Sequence, residues 1–207
     1  MDGSTLRKDE KMMEEYFDLL NEDGTKTGET KLRELVHRDG DLHGGSHIWI
    51  IRYPKEGEVE LLLQKRSENK DAFPGSYDIS SAGHLGLGET FEEAAVRELE
   101  EELGIRVKEE ELTFVCQRFS QFQGEFHGKP FHNREINRVY LLERDVNPEE
   151  LTLQKEEVDS VKWMNIRDIV AEMNAGNPKM CVSRTEIGLL TEWLKNNGTS
   201  PLTSGLE

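Results

Sequence analysis

Residues Gly83 to Ile105 read GHLGLGETFEEAAVRELEEELGI and carry the strongest pattern in the chain. Thr90, with Glu93 three residues further on, has the pattern of a capping box at the start of a helix. Gly104 suits the left-handed residue that follows a last helical turn. Apolar side chains recur every four residues and predict a stripe that faces the core: Phe91, Ala95, Leu99 and Leu103. The spacing therefore predicts an amphipathic helix over residues 91–103.

Three glutamates crowd the C-terminal half of this helix, at Glu98, Glu101 and Glu102. Their spacing places the carboxylates on one face, near the helix end where the dipole disfavours negative charge. Arg97 is the one basic residue of the helix and does not neutralise three acids. A bound cation would do so, and oxygen-only ligands favour Mg²⁺ or Mn²⁺ over zinc. A Glu-rich face is also typical of ordinary solvated surface, so helix composition alone leaves both interpretations open.

The fixed positions of the stretch extend the pattern beyond a helix and read Gly83-x5-Glu89-x7-Arg97-Glu98-Leu99-x-Glu101-Glu102-x-Gly104-Ile105. Every fixed position of the Nudix box is matched, so the chain resembles the Nudix hydrolase superfamily. The resemblance implies an α/β protein with the Nudix fold, which is an α/β/α sandwich around a mixed β-sheet. It also implies that the three glutamates hold a divalent metal ion and that Glu98 or Glu102 acts as general base. Glu89 and Arg97 would form the internal ion pair that locks the loop onto the helix.

Segments outside the box resemble one branch of the superfamily, the isopentenyl-diphosphate isomerases: residues 42–49, 62–67, 70–75 and 78–84. In those enzymes a cysteine stands directly before a Gly-His pair and moves protons on the carbon skeleton. The corresponding residue here is Ala82, whose methyl group neither donates nor accepts a proton. The resemblance therefore predicts a protein that binds a diphosphate as the isomerases do, but cleaves it instead of isomerising its organic part.

The isomerase resemblance also implies roles for residues outside the helix. His43 and His84 match its histidine metal ligands, with His37 as a further candidate. If glutamates alone hold the metal, His37 and His43 are loop or supporting residues. Glu135 matches the second catalytic acid and opens a predicted strand.

Cations near the box are expected to bind the diphosphate. Arg66 and Lys70 match the isomerases' diphosphate-binding residues, and Arg33 is a third candidate. Gln64 and Arg66 alternate with apolar neighbours, so we expect both side chains to face a cleft or water. The full expectation is, for catalysis, Glu98, Glu102, Glu135 and Arg97; for metal binding, Glu98, Glu101, Glu102 and His84; and for substrate binding, Arg66, Lys70 and Gln64.

Aromatic residues are frequent between two predicted strands, at 112–122 and 136–144. We expect the segment between those strands to be a glycine- and aromatic-rich loop that either stacks a nucleobase or packs into the core. The phenylalanines concerned are Phe119, Phe122, Phe126 and Phe131.

Length and composition bound the remaining possibilities. The 207 residues fit one domain, predicted over residues 14–197, with flexible termini at 1–13 and 198–207. A net charge of −16 argues against nucleic acid as a partner. The sequence has no apolar run long enough for a membrane span and no apparent signal peptide, and its two cysteines suggest no disulfide framework. The expected location is the cytoplasm.

A predicted helix over residues 184–196 carries an apolar stripe that must be covered, either by its own domain or by a second copy in a homodimer.

Three functions remain in competition. The first is a Mg²⁺- or Mn²⁺-dependent hydrolase that cleaves the diphosphate bond of a nucleoside diphosphate-linked or other small organic diphosphate. The second is an isopentenyl-diphosphate isomerase, which Ala82 disfavours. The third is a sensor that binds a nucleotide without turnover, although every acid of the box is kept.

Overall fold

A computed structural model describes residues 14–70, 72–126 and 128–198. Its strands are β1 (Tyr16–Leu20), β2 (Lys26–Leu32), β3 (Leu42–Arg52), β4 (Glu60–Arg66), β5 (Tyr77–Asp78), β6 (Ser81–His84), β7 (Thr113–Phe126), β8 (Lys129–Glu143) and β9 (Val158–Asn165). Its helices are α1 (Arg33–Asp39), α2 (Phe91–Leu103), α3 (Ile166–Asn174) and α4 (Arg184–Asn196). The predicted flexible segment 1–13 lies outside the described residues, as does all of 198–207 except Gly198.

Seven strands form one mixed sheet in the order β5-β4-β3-β8-β7, with β6 paired to β3 and β9 paired to β4. The β3–β8 pair is parallel, whereas the other pairs of this sheet are antiparallel. β1 and β2 form a separate antiparallel hairpin. The mixed sheet is the one that the predicted fold requires.

Two apolar cores lie on opposite faces of the sheet. One buries Leu99 and Leu103 of α2 against β3 and β8. The other buries Ile169 of α3 and Ile187 and Leu190 of α4 against the opposite face. The α/β/α sandwich is therefore confirmed. The apolar stripe of α4 is covered by its own domain, so it needs no second copy of the chain.

Helix α2 has the predicted bounds because its end signals are local. The Thr90 hydroxyl accepts a hydrogen bond from the backbone of Glu93 at 3.1 Å, and the Glu93 carboxylate accepts one from the backbone of Thr90 at 2.8 Å. Gly104 ends the helix with a φ of 69°, which an L side chain rarely adopts. The loop between β6 and α2 is thereby tied to the first helical turn.

The expected aromatic loop after residue 122 is wrong. β7 and β8 instead continue as one long hairpin, paired as far as Phe126 and Lys129. Aromatic side chains fit a pleated surface well, and Phe131 and Phe126 pack at 4.9 Å between ring centroids across the pair. Tertiary pairing thus carries strand structure through a segment whose glycines suggested a loop.

In the described ranges, no helix has the length and apolar character that crossing a membrane requires.

Candidate active site

The box residues meet where β6 passes α2. Gly83 lies in β6, and a Cβ atom at this position would overlap the carboxyl group of Glu98. β6 is held in place by its antiparallel pairing with β3, in which Gly83 lies opposite Ser46. Glycine is therefore required for the helix carboxylate to approach the strand backbone.

Arg97 holds the loop and the carboxylates together. Its Nε donates to Glu89 at 2.8 Å, and its Nη1 donates to Glu98 at 2.7 Å and to Glu101 at 3.0 Å. A further bond of 3.0 Å reaches the carbonyl oxygen of His84. These carboxylates raise the pKa of Arg97, so the guanidinium stays charged. It fixes the direction of Glu98 and leaves the exposed Glu101 at the rim.

Glu102 is the most deeply buried acid of the box, with 5% of its surface exposed. One carboxylate oxygen lies 3.2 Å from the backbone nitrogen of Ala82 and 3.5 Å from the side-chain nitrogen of Gln64. Burial, together with the nearby charge of Glu98, raises the pKa of Glu102 to about 8. Burial also raises the pKa of Glu98. A carboxyl group with a pKa in this range exchanges its proton close to neutral pH.

Gln64 does not face water or an open cleft as expected. It is 3% exposed, and its amide points at Glu102. Strand β4 is buried on both faces because α2 covers one side and α3 and α4 cover the other. The alternation of polar and apolar residues in β4 therefore does not indicate which side chains are exposed. Gln64 instead contacts the carboxylate of Glu102.

The expected diphosphate cations are both paired with carboxylates. Arg66 lies 3.2 Å from Asp78 and donates from Nε to the carbonyl oxygen of Ala72 at 3.0 Å. Lys70 is paired with Glu157. These residues therefore shape the loop between β4 and β5 in the structure.

The third candidate cation, Arg33, forms an ion pair with Glu15 at 2.6 Å. Its guanidinium also lies 5.8 Å from the centroid of the Phe17 ring.

Three histidines form a second cluster, on α1, β3 and β6. Each of His37, His43 and His84 offers one ring nitrogen, and these three nitrogen atoms lie within 4.8 Å of one another. The Glu135 carboxylate lies 3.0 Å from Nε2 of His84 and 3.8 Å from Nε2 of His43. Phe17 stacks on His43 and His84 at centroid distances of 5.2 and 4.9 Å. The cluster thus joins four candidate residues that lie far apart in the sequence.

The donor set of this cluster fits a divalent transition metal. Within the described residues, the Nε2 atoms of His37 and His43 are buried without a hydrogen-bond partner. Burial and the charge of His84 lower the pKa of His37 to about 3 and that of His43 to about 4. Both rings are therefore neutral near pH 7, which is the form that binds metal. Despite its burial, Glu135 has a pKa well below the usual range because His84 and His43 lie beside it.

His84 joins this histidine cluster and not the three glutamates. Side chains alternate along a strand, so the side of β6 that meets Glu98 at Gly83 is opposite to the side of His84. The residues expected to bind metal are thereby divided between two neighbouring groups. Glu98, Glu101 and Glu102 lie on the α2 side, and His84 lies with Glu135 on the other.

A polar network that the sequence does not predict lies beside the histidine cluster. Ser120 lies 3.3 Å from Glu135 and 2.8 Å from the side-chain nitrogen of Asn137. Next to them, Arg118 donates to the buried carboxylate of Glu186 at 2.9 Å. These residues come from three elements, and no spacing in the sequence relates them.

Two further side chains form hydrogen bonds with the carboxylate of Glu186. His47 lies 2.8 Å away through Nδ1, and the Trp49 indole donates at 2.9 Å. Glu186 thus ties α4 to β3 as well as to β7.

A family model described as the NUDIX domain matches residues 45–182, which include β6 and all of α2. The chain belongs to the Nudix family. The family match and the curated Nudix hydrolase relatives confirm the prediction made from the box.

The alignments with curated relatives cover different shares of those proteins. Nudix hydrolase 3 of Arabidopsis thaliana is 48% identical over 157 residues, which is 74% of this chain but 19% of that protein. An uncharacterized Nudix hydrolase of Clostridium acetobutylicum is 38% identical over 159 residues, covering 76% of this chain and 73% of the relative. The isopentenyl-diphosphate Delta-isomerase of Aliivibrio fischeri is 33% identical over 167 residues, covering 80% of this chain and 88% of the relative. The predicted resemblance to the isomerase branch is therefore confirmed.

A solved structure shares the fold. DR0079 of Deinococcus radiodurans aligns with a TM-score of 0.61 at 22% identity, covering 85% of this chain and 98% of that protein.

Proposed function

We propose that this Nudix protein is a divalent-metal-dependent hydrolase that cleaves the diphosphate bond of a nucleoside diphosphate-linked or other organic diphosphate. The observation that carries the proposal is Glu102, a buried carboxyl group beside Glu98 and the backbone of Ala82. Its raised pKa retains a proton near neutral pH in the metal-free protein, and a bound cation that displaced this proton would leave the carboxylate able to accept one from an attacking water molecule. Glu98, held by Arg97, is the second acid at the same place.

Two sets of residues suit metal binding. Glu98, Glu101 and Glu102 offer oxygen atoms, which suit Mg²⁺ or Mn²⁺. The histidines with Glu135 offer mixed nitrogen and oxygen donors, for which Mn²⁺ is the better match of the two. When bound, a divalent ion neutralises phosphate charge and lowers the pKa of water.

The protein's own residues supply orientation. Arg97 fixes Glu98 relative to the loop, and the backbone nitrogen of Ala82 together with Gln64 directs the carboxylate of Glu102. A group held in one direction loses little entropy when it acts on a substrate. These contacts support the assignment of Glu98 and Glu102 to the chemical step, with Arg97 as the residue that positions them.

An isomerase is the second candidate, favoured by the histidine cluster with Glu135 and by the isomerase relatives. Ala82 disfavours an isomerase, because the methyl group at this position transfers no proton. Ala82 lies opposite His47 in the β6–β3 ladder, and the His47 ring is bound to the carboxylate of Glu186. A cytoplasmic location and a small-molecule partner remain predictions.

The test is a panel assay read by ³¹P NMR, run with Mg²⁺ and separately with Mn²⁺. The panel contains ADP-ribose, NADH, sugar nucleotides, nucleoside triphosphates and isopentenyl diphosphate. Wild type is compared with Glu102→Gln and with Glu100→Gln, a control on the same helix that pairs with Arg106 at 2.7 Å.

The hydrolase proposal predicts loss of a phosphoanhydride signal with wild type and Glu100→Gln, and at least a hundredfold slower loss with Glu102→Gln, the scale of a removed acid–base group. Conversion of isopentenyl diphosphate to its dimethylallyl isomer with the diphosphate intact would instead establish the isomerase. Binding without any turnover would contradict both and favour a sensor.

A further inference from the structure

We infer that strand β1 positions both groups of candidate metal ligands: Asp18 fixes the loop that leads into α2, and Phe17 fixes the histidine cluster. The inference rests on the proposed function and deepens it, since it assigns positioning residues to the same sites. Both residues precede residue 45, where the match to the family model begins. The strand that carries them therefore lies outside the matched residues.

Asp18 holds the loop between β6 and α2 from outside the box. Its carboxylate accepts a hydrogen bond from the backbone nitrogen of Gly88 at 2.8 Å, and Nζ of Lys26 lies 2.9 Å from the same oxygen atom. Despite partial burial, Asp18 has a pKa below its usual value because Lys26 and the backbone of Gly88 lie beside it. The acceptor is therefore charged, and a charged acceptor forms a stronger hydrogen bond than a neutral one.

The bond to Gly88 acts next to the ion pair of the box. Gly88 adjoins Glu89, whose two carboxylate oxygens accept from Nε of Arg97 at 2.8 Å and from Nη2 at 3.0 Å. Arg97 in turn donates to Glu98 at 2.7 Å. A displacement of Gly88 would therefore pass through Glu89 and Arg97 to the carboxylate of Glu98, a candidate metal ligand.

The tip of this loop is otherwise open. A Cβ atom at Gly88 would meet no atom of the described residues within 4 Å. Gly86 donates to Glu89 at 2.7 Å, but that bond joins two residues of the loop itself. The hydrogen bond from Gly88 to Asp18 therefore ties the tip to a separate element, the β1–β2 hairpin.

Phe17 projects from the opposite face of β1, because successive side chains alternate along a strand. Its ring is 1% exposed and stacks on His43 and His84 at centroid distances of 5.2 and 4.9 Å. The same ring meets His37 edge-on at 5.9 Å. One aromatic ring thus contacts all three histidines of the cluster, and its packing helps to set the directions of their ring nitrogen atoms.

The two neighbouring residues therefore act on different ligand sets. Asp18 orients the oxygen donors of α2 through the loop, whereas Phe17 orients the nitrogen donors. Groups that orient metal ligands contribute about ten- to hundredfold to metal affinity. Loss of Asp18 and loss of Phe17 should consequently weaken the binding of different metal ions, which a general loss of stability would not do.

The experiment measures metal affinity without turnover, on the full chain. Isothermal titration calorimetry gives the Kd for Mg²⁺, and the visible absorption of Co²⁺ reports binding by the histidines, because imidazole ligands change its spectrum. The variants are Asp18→Ala, Asp18→Asn and Phe17→Leu. The matched control is Glu29→Ala, at an exposed position of β2 in the same hairpin. Thermal melting checks folding, and Phe17→Met replaces Phe17→Leu if that variant does not fold.

We expect Asp18→Ala to raise the Kd for Mg²⁺ about tenfold and to leave the Kd for Co²⁺ within about twofold of wild type. Phe17→Leu should have the reverse effect. Asp18→Asn should recover most of the Mg²⁺ affinity, because its amide oxygen still accepts from Gly88. Glu29→Ala should match wild type for both ions.

Two results would overturn the positioning roles while leaving the proposed function in place. One is an equal loss of affinity for both ions in either variant, and the other is no difference from Glu29→Ala. Failure of the wild-type protein to bind either ion would instead overturn the proposed metal dependence, and the inference with it.

Discussion

Glu102 shows how far burial changes an ordinary acid. Its carboxyl group gains a bond from the backbone of Ala82 and a long contact from Gln64, but loses most of its hydration. Desolvation, together with the charge of Glu98, outweighs the hydrogen bond from Ala82, and the pKa rises from 4.5 to about 8. The folded protein therefore holds a proton at Glu102 that the unfolded chain releases. The same imbalance makes this place receptive to a cation, which would replace that proton.

A consequence is that stability of the metal-free protein falls as pH rises. Between about pH 4.5 and 8 the folded state binds the extra proton, so the free energy of unfolding decreases by roughly 1 kcal/mol per pH unit from this group. Glu102→Gln has no such group and should melt increasingly above wild type across that window. The measurement is Tm against pH in EDTA, with Glu100→Gln as control. A constant Tm difference across the window would show that Glu102 is not protonated in the folded state.

Gly83 is the second residue whose role depends on a close contact, here with the carboxyl group of Glu98. A methyl group there overlaps the carboxyl group of Glu98, so Gly83→Ala should cost about 1–3 kcal/mol of stability and reduce kcat at least tenfold. Gly188→Ala is the matched control, because no atom lies within 4 Å of the added methyl group and the position is inside helix α4. That control should gain about 0.5–1 kcal/mol. Chemical denaturation and steady-state kinetics of both variants test the difference; unchanged kcat in Gly83→Ala would contradict it.

At the level of elements, one buried carboxylate adds polar contacts to the apolar packing of α4 on the sheet. Glu186 accepts from His47 and Trp49 of β3 and from Arg118 of β7. Its neighbours hold the pKa of Glu186 below the usual value despite complete burial, so it stays ionised. The charges of His47 and Arg118 stabilise that anion, and three donors share it. The helix thereby fixes two strands that also carry candidate site residues, His43 on β3 and Ser120 on β7.

Removal of this carboxylate should loosen α4 strongly. Glu186→Ala leaves buried donors and cations without their acceptor, which should cost about 3 kcal/mol and lower Tm by roughly 10 °C. Glu192→Ala, at an exposed position of the same helix, should change stability by less than about 0.5 kcal/mol. Urea denaturation of both variants measures the difference. Equal effects would mean that the apolar stripe alone holds the helix.

At the level of the whole molecule, charge opposes the proposed substrate. The chain carries a net charge of −16, and a diphosphate ester is itself an anion. The candidate diphosphate-binding cations are paired, Arg66 with Asp78 and Lys70 with Glu157. Long-range repulsion therefore acts on the approaching substrate, and bound divalent ions are the expected means of local compensation.

Salt should consequently raise the rate of productive encounter. Between about 10 and 150 mM salt the Debye length shortens from about 30 to about 8 Å, so kcat/KM should increase a few-fold at constant free Mg²⁺. The measurement is kcat/KM against KCl concentration, with kcat as the internal control because it does not depend on encounter. A fall in kcat/KM would show that local cations, and not the net charge, dominate the field at the cleft.

Local signals predicted most of the box helix. The Thr90 cap, the apolar stripe and Gly104 act within one or two turns, so α2 begins and ends where the sequence indicates. The hairpin of β7 and β8 was missed beyond residue 122, because its strands are stabilised by each other and not by their own residues. Gln64 was misjudged for the same reason, since α2 covers the side of β4 that the alternation assigned to a cleft or water.

The family, the mixed α/β fold and the acid-rich helix could be predicted because spacing along one segment encodes them. The burial and raised pKa of Glu102, and the grouping of His84 with His37 and His43 instead of the glutamates, depend on long-range packing. The parallel register of β3 and β8 places His43 opposite Glu135. The pairing of β6 with β3 directs Gly83 towards α2 and His84 towards the opposite face of the sheet. Such pairings join residues distant in the chain, and no local pattern specifies them.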